Sequence, residues 1–120
     1  MPKTDERLAV IIPTKDRPQD IHLLLESISA QEVWPAQIII VDGGDANLEN
    51  IVADFKYFDI FYVRQKPPSL PMQRNIGLSY LKDGIEIAAF FDDDISLCDN
   101  MIDVAMKFLS NSDNNLAGVT

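Results

Sequence analysis

The chain is poor in the residues that most often advertise chemistry. It has one cysteine, Cys98, and one histidine, His22, among 120 residues. A single cysteine excludes an internal disulfide and fits a reducing compartment. With one histidine far from it in sequence, nothing pairs the two as nucleophile and base, and no His/Cys set with zinc spacing exists. Cys98 reads as a small packed residue near a helix start, and His22 as a surface position on the first helix. Basic residues are scarce as well: 10 Lys and Arg stand against 19 Asp and Glu, a formal net charge of −9. That balance argues against a nucleic-acid or anionic-membrane surface. An anionic ligand would need a metal or a few well-placed cations. Long apolar runs are missing too, the longest being five residues, so no stretch spans a bilayer. The N-terminus, Met-Pro-Lys-Thr-Asp-Glu-Arg, lacks the apolar core of a signal peptide. These absences predict a cytoplasmic protein.

What is present is a set of short apolar, β-rich runs. At 47% hydrophobic content, 120 residues can bury one core and form one domain at most. Strands are predicted over Leu8–Ile12 (closed by Pro13), Ile38–Val41, Ile60–Val63 and Ile85–Phe91, with Leu116–Val119 beginning a fifth. Helical stripes separate them. Pro18 suits a first turn, and Ile21, Leu24, Leu25 and Ile28 follow at helical spacing. Leu48, Ile51, Val52 and Phe55 give a second stripe, and a third helix runs from Pro71 or Met72 to Lys82. Met101/Ile102, Ala105/Met106 and Leu109 give the last. Pro67, Pro68 and Pro71 mark the intervening segment as a loop. Strands alternating with helices imply a mostly parallel sheet with helices on both faces. Because the sequence ends inside a predicted strand, the expectation is the first part of a larger domain. Such a sheet would be completed by further chain or by a second copy.

In a sheet of this kind ligands bind beyond the carboxyl ends of the strands. Four segments fall there. After strand one come Pro13-Thr14-Lys15-Asp16-Arg17-Pro18, where Lys15, Arg17 and backbone N–H groups could hold a phosphate or base edge. Ordinary helix capping by Asp16 is the plainer reading. After strand two, Asp42-Gly43-Gly44 offers a carboxylate for a ring N–H or ribose hydroxyl, with glycines for close approach; an Asp-Gly turn is the plainer reading. Arg74-Asn75 sits near the start of helix three, where Arg74 could pair with Asp42 or reach phosphates. Gly77 follows, costing a helix about 1 kcal/mol and so hinting at tight packing or ligand approach. After strand four, Asp92, Asp93 and Asp94 are consecutive. Three adjacent carboxylates repel unless a cation or donors offset them, and hard oxygens suit Mg²⁺ or Mn²⁺ bridging phosphates. Neither GxGxxG nor a P-loop occurs. A sugar nucleotidyltransferase would want a glycine-rich basic loop after strand one. A haloacid-type phosphatase would want paired aspartates there, and neither is found.

Val10-Ile11-Ile12-Pro13-Thr14, Val41-Asp42-Gly43-Gly44, Arg74-Asn75-x-Gly77 and Phe91-Asp92-Asp93-Asp94 resemble, in order and spacing, the family 2 glycosyltransferases. The resemblance covers residues 8 to about 110. It implies the Rossmann-like GT-A fold, a nucleotide-diphospho-sugar donor, and inverting transfer to an acceptor hydroxyl of a glycan or lipid, as in polysaccharide synthesis. By the same likeness Asp42 would contact the nucleobase, Arg74 would lie beside base and diphosphate, and Pro13–Arg17 would pack on the nucleoside. Asp92 and Asp94 would be the outer acids of a DxD motif, with Asp94 on the metal. Lys15-Asp16 departs from the aromatic-Asn common in the family. No general base is matched within 1–120, so the alternative reading is a non-catalytic nucleotide-sugar-binding or assembly module.

Overall fold

Apolar side chains that divide between two faces build the sheet. Val10 and Ile12 point to one layer and Ile11 to the other, and Ile38/Ile40 against Ile39/Val41 repeat that division one strand away. Strands covered on both faces read as unbroken apolar runs. The computed structural model describes residues 2–110. Its elements are β1 (Lys3–Thr14), α1 (Pro18–Ser29), β2 (Val33–Asp42), α2 (Glu49–Ala53), β3 (Ile60–Arg64), α3 (Leu70–Ser79), β4 (Ile87–Phe90) and α4 (Met101–Ser110). The four strands form one parallel sheet in the order β3-β2-β1-β4. The chain steps outward from β1 to β3, then returns to lay β4 on the other side of β1. The crevice therefore opens between β1 and β4.

Side chains of α1, α2 and α4 join the cluster around Val10, Ile12, Ile38 and Ile40. Ile21, Leu24, Leu25 and Ile28 of α1 are all fully buried there, each stabilising by about 1.5–3 kcal/mol relative to exposure. α3 covers the opposite face through Ile76 and Leu78, over Ile11, Ile39, Val41 and Ala88. Gly77 lets α3 settle: a Cβ there would lie 2.4 Å from Ile11 Cγ2. Of the two roles open to this glycine, tight packing is the one observed. Among the described residues no helix is long and apolar enough to cross a membrane.

Several boundaries differ from expectation, and some of them are set by partners outside their own segment. β1 begins at Lys3 rather than Leu8 because Lys3–Asp5 pair with Val33–Pro35 before a register break between Asp5 and Ala9. Nor does Pro13 close it. Ile11 O faces β4, accepting the Phe91 N–H, so Pro13, two residues on, turns its missing N–H past β4's last ladder pair. β3 runs one residue further, to Arg64, because Arg64 pairs with Asp42. The stripe Leu48–Phe55 buries its ends, yet only Glu49–Ala53 is helical. α3 stops at Ser79 rather than Lys82. The buried Gln37 amide takes its place, donating to Tyr80 O and accepting the Lys82 N–H. β4 is shorter at both ends than predicted. The predicted strand Leu116–Val119 lies outside the described residues.

Candidate functional site

Register places Thr14, Asp42 and Arg64 side by side at the carboxyl edge of β1, β2 and β3. β4 ends level with Ile11, and Phe91 keeps the bond to Ile11 O, so Asp92–Asp94 leave the sheet beside the end of β1. Between them lies a cleft of about 510 Å³. Pro13, Thr14, Lys15 and Arg17 form one wall, Asp92, Asp93 and Asp94 another, and Pro68, Ser69, Leu70 and Gln73 the third. Two hollows of about 580 Å³ lie at the other end of the strands, lined by residues such as Lys3, Val33 and Asp103. Parallel sheets do not place ligands at that edge.

The aspartates in the cleft are held by donors. Thr14 Oγ1 donates to Asp93 Oδ2 at 2.8 Å, and Arg17 Nη1 lies 3.5 Å from Asp93 Oδ1 and 3.8 Å from Asp94 Oδ2. Burial raises the Asp93 carboxyl above its ordinary range; Thr14 and Arg17 oppose that, while Asp94 and Asp20 add to it. Asp94 is more open, its side chain 60% exposed. Among the described residues no three His, Cys, Asp or Glu gather as a metal-holding set. Mg²⁺ commonly takes one or two carboxylates and completes its shell with phosphates and water. Asp92, Asp93 and Asp94 line the cleft without forming a cage for a bare ion.

Asp42 is not among the residues that line the cleft. It is fully buried. Its Oδ1 accepts the Gly44 N–H at 2.8 Å, and its Oδ2 accepts the Tyr62 hydroxyl. The same hydroxyl accepts the Leu48 N–H at 3.0 Å. Burial first, and the bond to Asp42 second, push the Tyr62 phenol up to about 12. The cation beside Asp42 is Arg64, with Nε at 3.9 Å, and not Arg74. Gly43 is also covered by protein, since a Cβ there would lie 2.7 Å from Pro68 Cβ.

Arg74 and Asn75 do not line the cleft. The Arg74 guanidinium stands over the Phe90 ring at 5.6 Å, with Nε buried and unbonded, and Asn75 is exposed on α3. Their neighbour Gln73 turns inward instead. Its Nε2 donates to Thr14 O at 3.0 Å and Val41 O at 2.9 Å, clamping the ends of β1 and β2. Asp16 does not cap α1: Arg17 holds the N-cap position, without a side-chain bond. Asp16 Oδ1 accepts the N–H groups of Asp45 at 2.7 Å and Ala46 at 3.1 Å, which hold its carboxyl below the usual range.

Sequence reasoning thus placed Pro13, Thr14, Lys15, Arg17, Asp92, Asp93 and Asp94 together, and the cleft unites them. It missed Tyr62, Arg64 and Gln73. Arg64 carried a usable signal, since it follows Ile60–Val63 as Asp42 follows Ile38–Val41, one residue past an apolar run. Tyr62 and Gln73 carried none, because a hydroxyl in a strand or an amide in a helix finds its partner only in three dimensions.

The family model of glycosyl transferase family 2 matches residues 9–120. A search of curated proteins gives no match. Among solved structures, the crystal structure of S. aureus TarS aligns with a TM-score of 0.73 and 21% sequence identity. The match covers 87% of this chain and 19% of that one, so the chain spans about a fifth of that protein's length.

Proposed function

Because the chain belongs to glycosyl transferase family 2 and has its GT-A fold, we propose that its cleft binds the diphosphate end of a nucleotide-diphospho-sugar together with Mg²⁺ or Mn²⁺. The reaction served is transfer of the sugar to an acceptor hydroxyl, with inversion. One observation carries this reading. The crevice where the strand order reverses brings two cations, Lys15 and Arg17, opposite three carboxylates, Asp92–Asp94. An acidic chain needs such a pairing to hold an anion.

Each residue then has a task. Asp94, with Asp92, would hold the metal, which would neutralise charge on the departing diphosphate. Lys15 and Arg17 face the phosphates from the other wall. Arg17 already leans on Asp93 and Asp94, so the arriving phosphates would compete for its guanidinium. Thr14 keeps Asp93 fixed. Asp42 is held by the Gly44 N–H and the Tyr62 hydroxyl, and the acceptor capacity left on its oxygens would serve a ring N–H of the base. Direct displacement also needs a base for the acceptor hydroxyl, and we assign none among the described residues.

Calorimetry with UDP, GDP and dTDP, each with Mn²⁺ and with chelator, tests the proposal. At least one nucleotide should bind more tightly with the metal, and Asp94→Ala should remove that enhancement. Binding indifferent to Mn²⁺ in the unmodified chain would contradict it.

A further inference from the structure

Asp16 stands between the two cations of the cleft, yet it faces away from it. Its backbone adopts a left-handed conformation, φ 53°, which Asp and Asn tolerate better than other side chains. From there its Oδ1 receives two N–H groups of the β2–α2 loop, from Asp45 and Ala46. Gly44 is packed against it so closely that a Cβ would lie 2.4 Å from Asp16 Oδ1 and 2.5 Å from Asp16 N. The loop that grips Asp16 is itself gripped from below. Asp42 holds Gly44 N–H, Tyr62 holds Leu48 N–H, and Arg64 Nη2 donates to Gly44 O at 2.9 Å and Asp45 O at 3.0 Å. An unbroken series of bonds therefore runs from the buried Asp42 to the residue flanked by Lys15 and Arg17.

We propose that Asp16 is a positioning residue: by docking on the Asp45–Ala46 amides it fixes the strained turn that aims Lys15 and Arg17 at the phosphates of the ligand. This rests on the reading of the cleft as a nucleoside-diphosphate site. What Asp16 contributes is an acceptor oxygen and tolerance of positive φ, not its charge. A negative charge beside two phosphate-binding cations is, if anything, unfavourable to an anion.

Three variants separate these properties. Asp16→Asn keeps the oxygen and the backbone conformation, so it should bind a nucleoside diphosphate as well as the parent chain or more tightly. Asp16→Gly keeps only the backbone freedom. Losing two amide bonds should weaken binding by about fivefold to tenfold. Gly44→Ala pushes Asp16 off from the opposite side and should give the same loss with Asp16 intact. The probe is the nucleoside diphosphate that the parent chain binds best, set against the corresponding nucleoside without phosphates. Hydrogen exchange at Asp45 and Ala46 reports whether the dock is open. The proposal expects Asp16→Gly and Gly44→Ala to lose diphosphate affinity, to keep nucleoside affinity, and to exchange those two amides faster. Diphosphate binding within twofold of the parent in both variants would overturn it, as would an equal loss for the nucleoside. Failure of the parent chain to bind any nucleoside diphosphate would instead overturn the function proposed above. Should Asp16→Gly not fold, Gly44→Ala alone decides.

Discussion

Replacing Tyr62 by Phe removes one oxygen and leaves two buried groups without their partner. Asp42 Oδ2 loses its hydroxyl donor and the Leu48 N–H loses its acceptor. A hydrogen bond to a charged group is worth about 1.5–3 kcal/mol net, and a neutral one about 0.5–1.5 kcal/mol. Arg64 Nε, at 3.9 Å, can close on Asp42 and recover part of the first. The expected loss is about 2–4 kcal/mol, a large share of the 5–15 kcal/mol that typically separates folded from unfolded domains. Urea unfolding followed by circular dichroism measures it, with Tyr57→Phe, at an exposed ring, as the baseline. Gly44 and Leu48 amides should also exchange faster in Tyr62→Phe. A loss below about 0.5 kcal/mol would show that the hydroxyl's two bonds add nothing net to stability, contrary to this reasoning.

Other outcomes follow from single contacts. Gly77→Ala gains about 1 kcal/mol of helix propensity but drives a methyl to 2.4 Å from Ile11 Cγ2. Overpacking of that kind costs about 1–3 kcal/mol, so the variant should melt lower than the parent; a higher melting temperature would refute the tight seat of α3. Asp5 accepts two side-chain bonds from Arg7, which hold its carboxyl below the ordinary 3.8. Its stabilisation is therefore complete above pH 3.8 and fades as pH falls through the lowered value. Asp5→Asn should be less stable than the parent at pH 7, with the gap closing in acid; a gap constant with pH would contradict the ion pair.

Much of the fold was legible because it depends on runs that dominate their own neighbourhood. Ile38–Val41, short and β-branched, reads as a strand covered on both faces, and Pro18 followed by Ile21, Leu24, Leu25 and Ile28 reads as an amphipathic helix. Once the strands were read as parallel members of one sheet, Thr14 and Asp92–Asp94 had to lie at the same carboxyl edge, and the pairing of β1 with β4 makes them neighbours there. What stayed hidden was set by tertiary partners. Lys3–Asp5 have no strand signature and are ordered by pairing with Val33–Pro35. Arg74 was open to pairing with Asp42 or to reaching phosphates, but the pairing of β2 with β3 delivers Arg64 to Asp42 instead. Asp16 looked like a helix cap because it precedes Pro18. Its positive φ, invisible in sequence, turns the side chain onto the neighbouring loop.

The claim beneath all of this is that one metal–diphosphate site lies at the β1–β4 crevice. Paramagnetic broadening of backbone amides by Mn²⁺, added with the nucleoside diphosphate that binds best, maps that site directly. Broadening should centre on residues 14–17 and 92–94 and spare Lys3–Arg7 at the far end of β1. Broadening centred on Lys3–Arg7, or none that depends on the nucleotide, would contradict it.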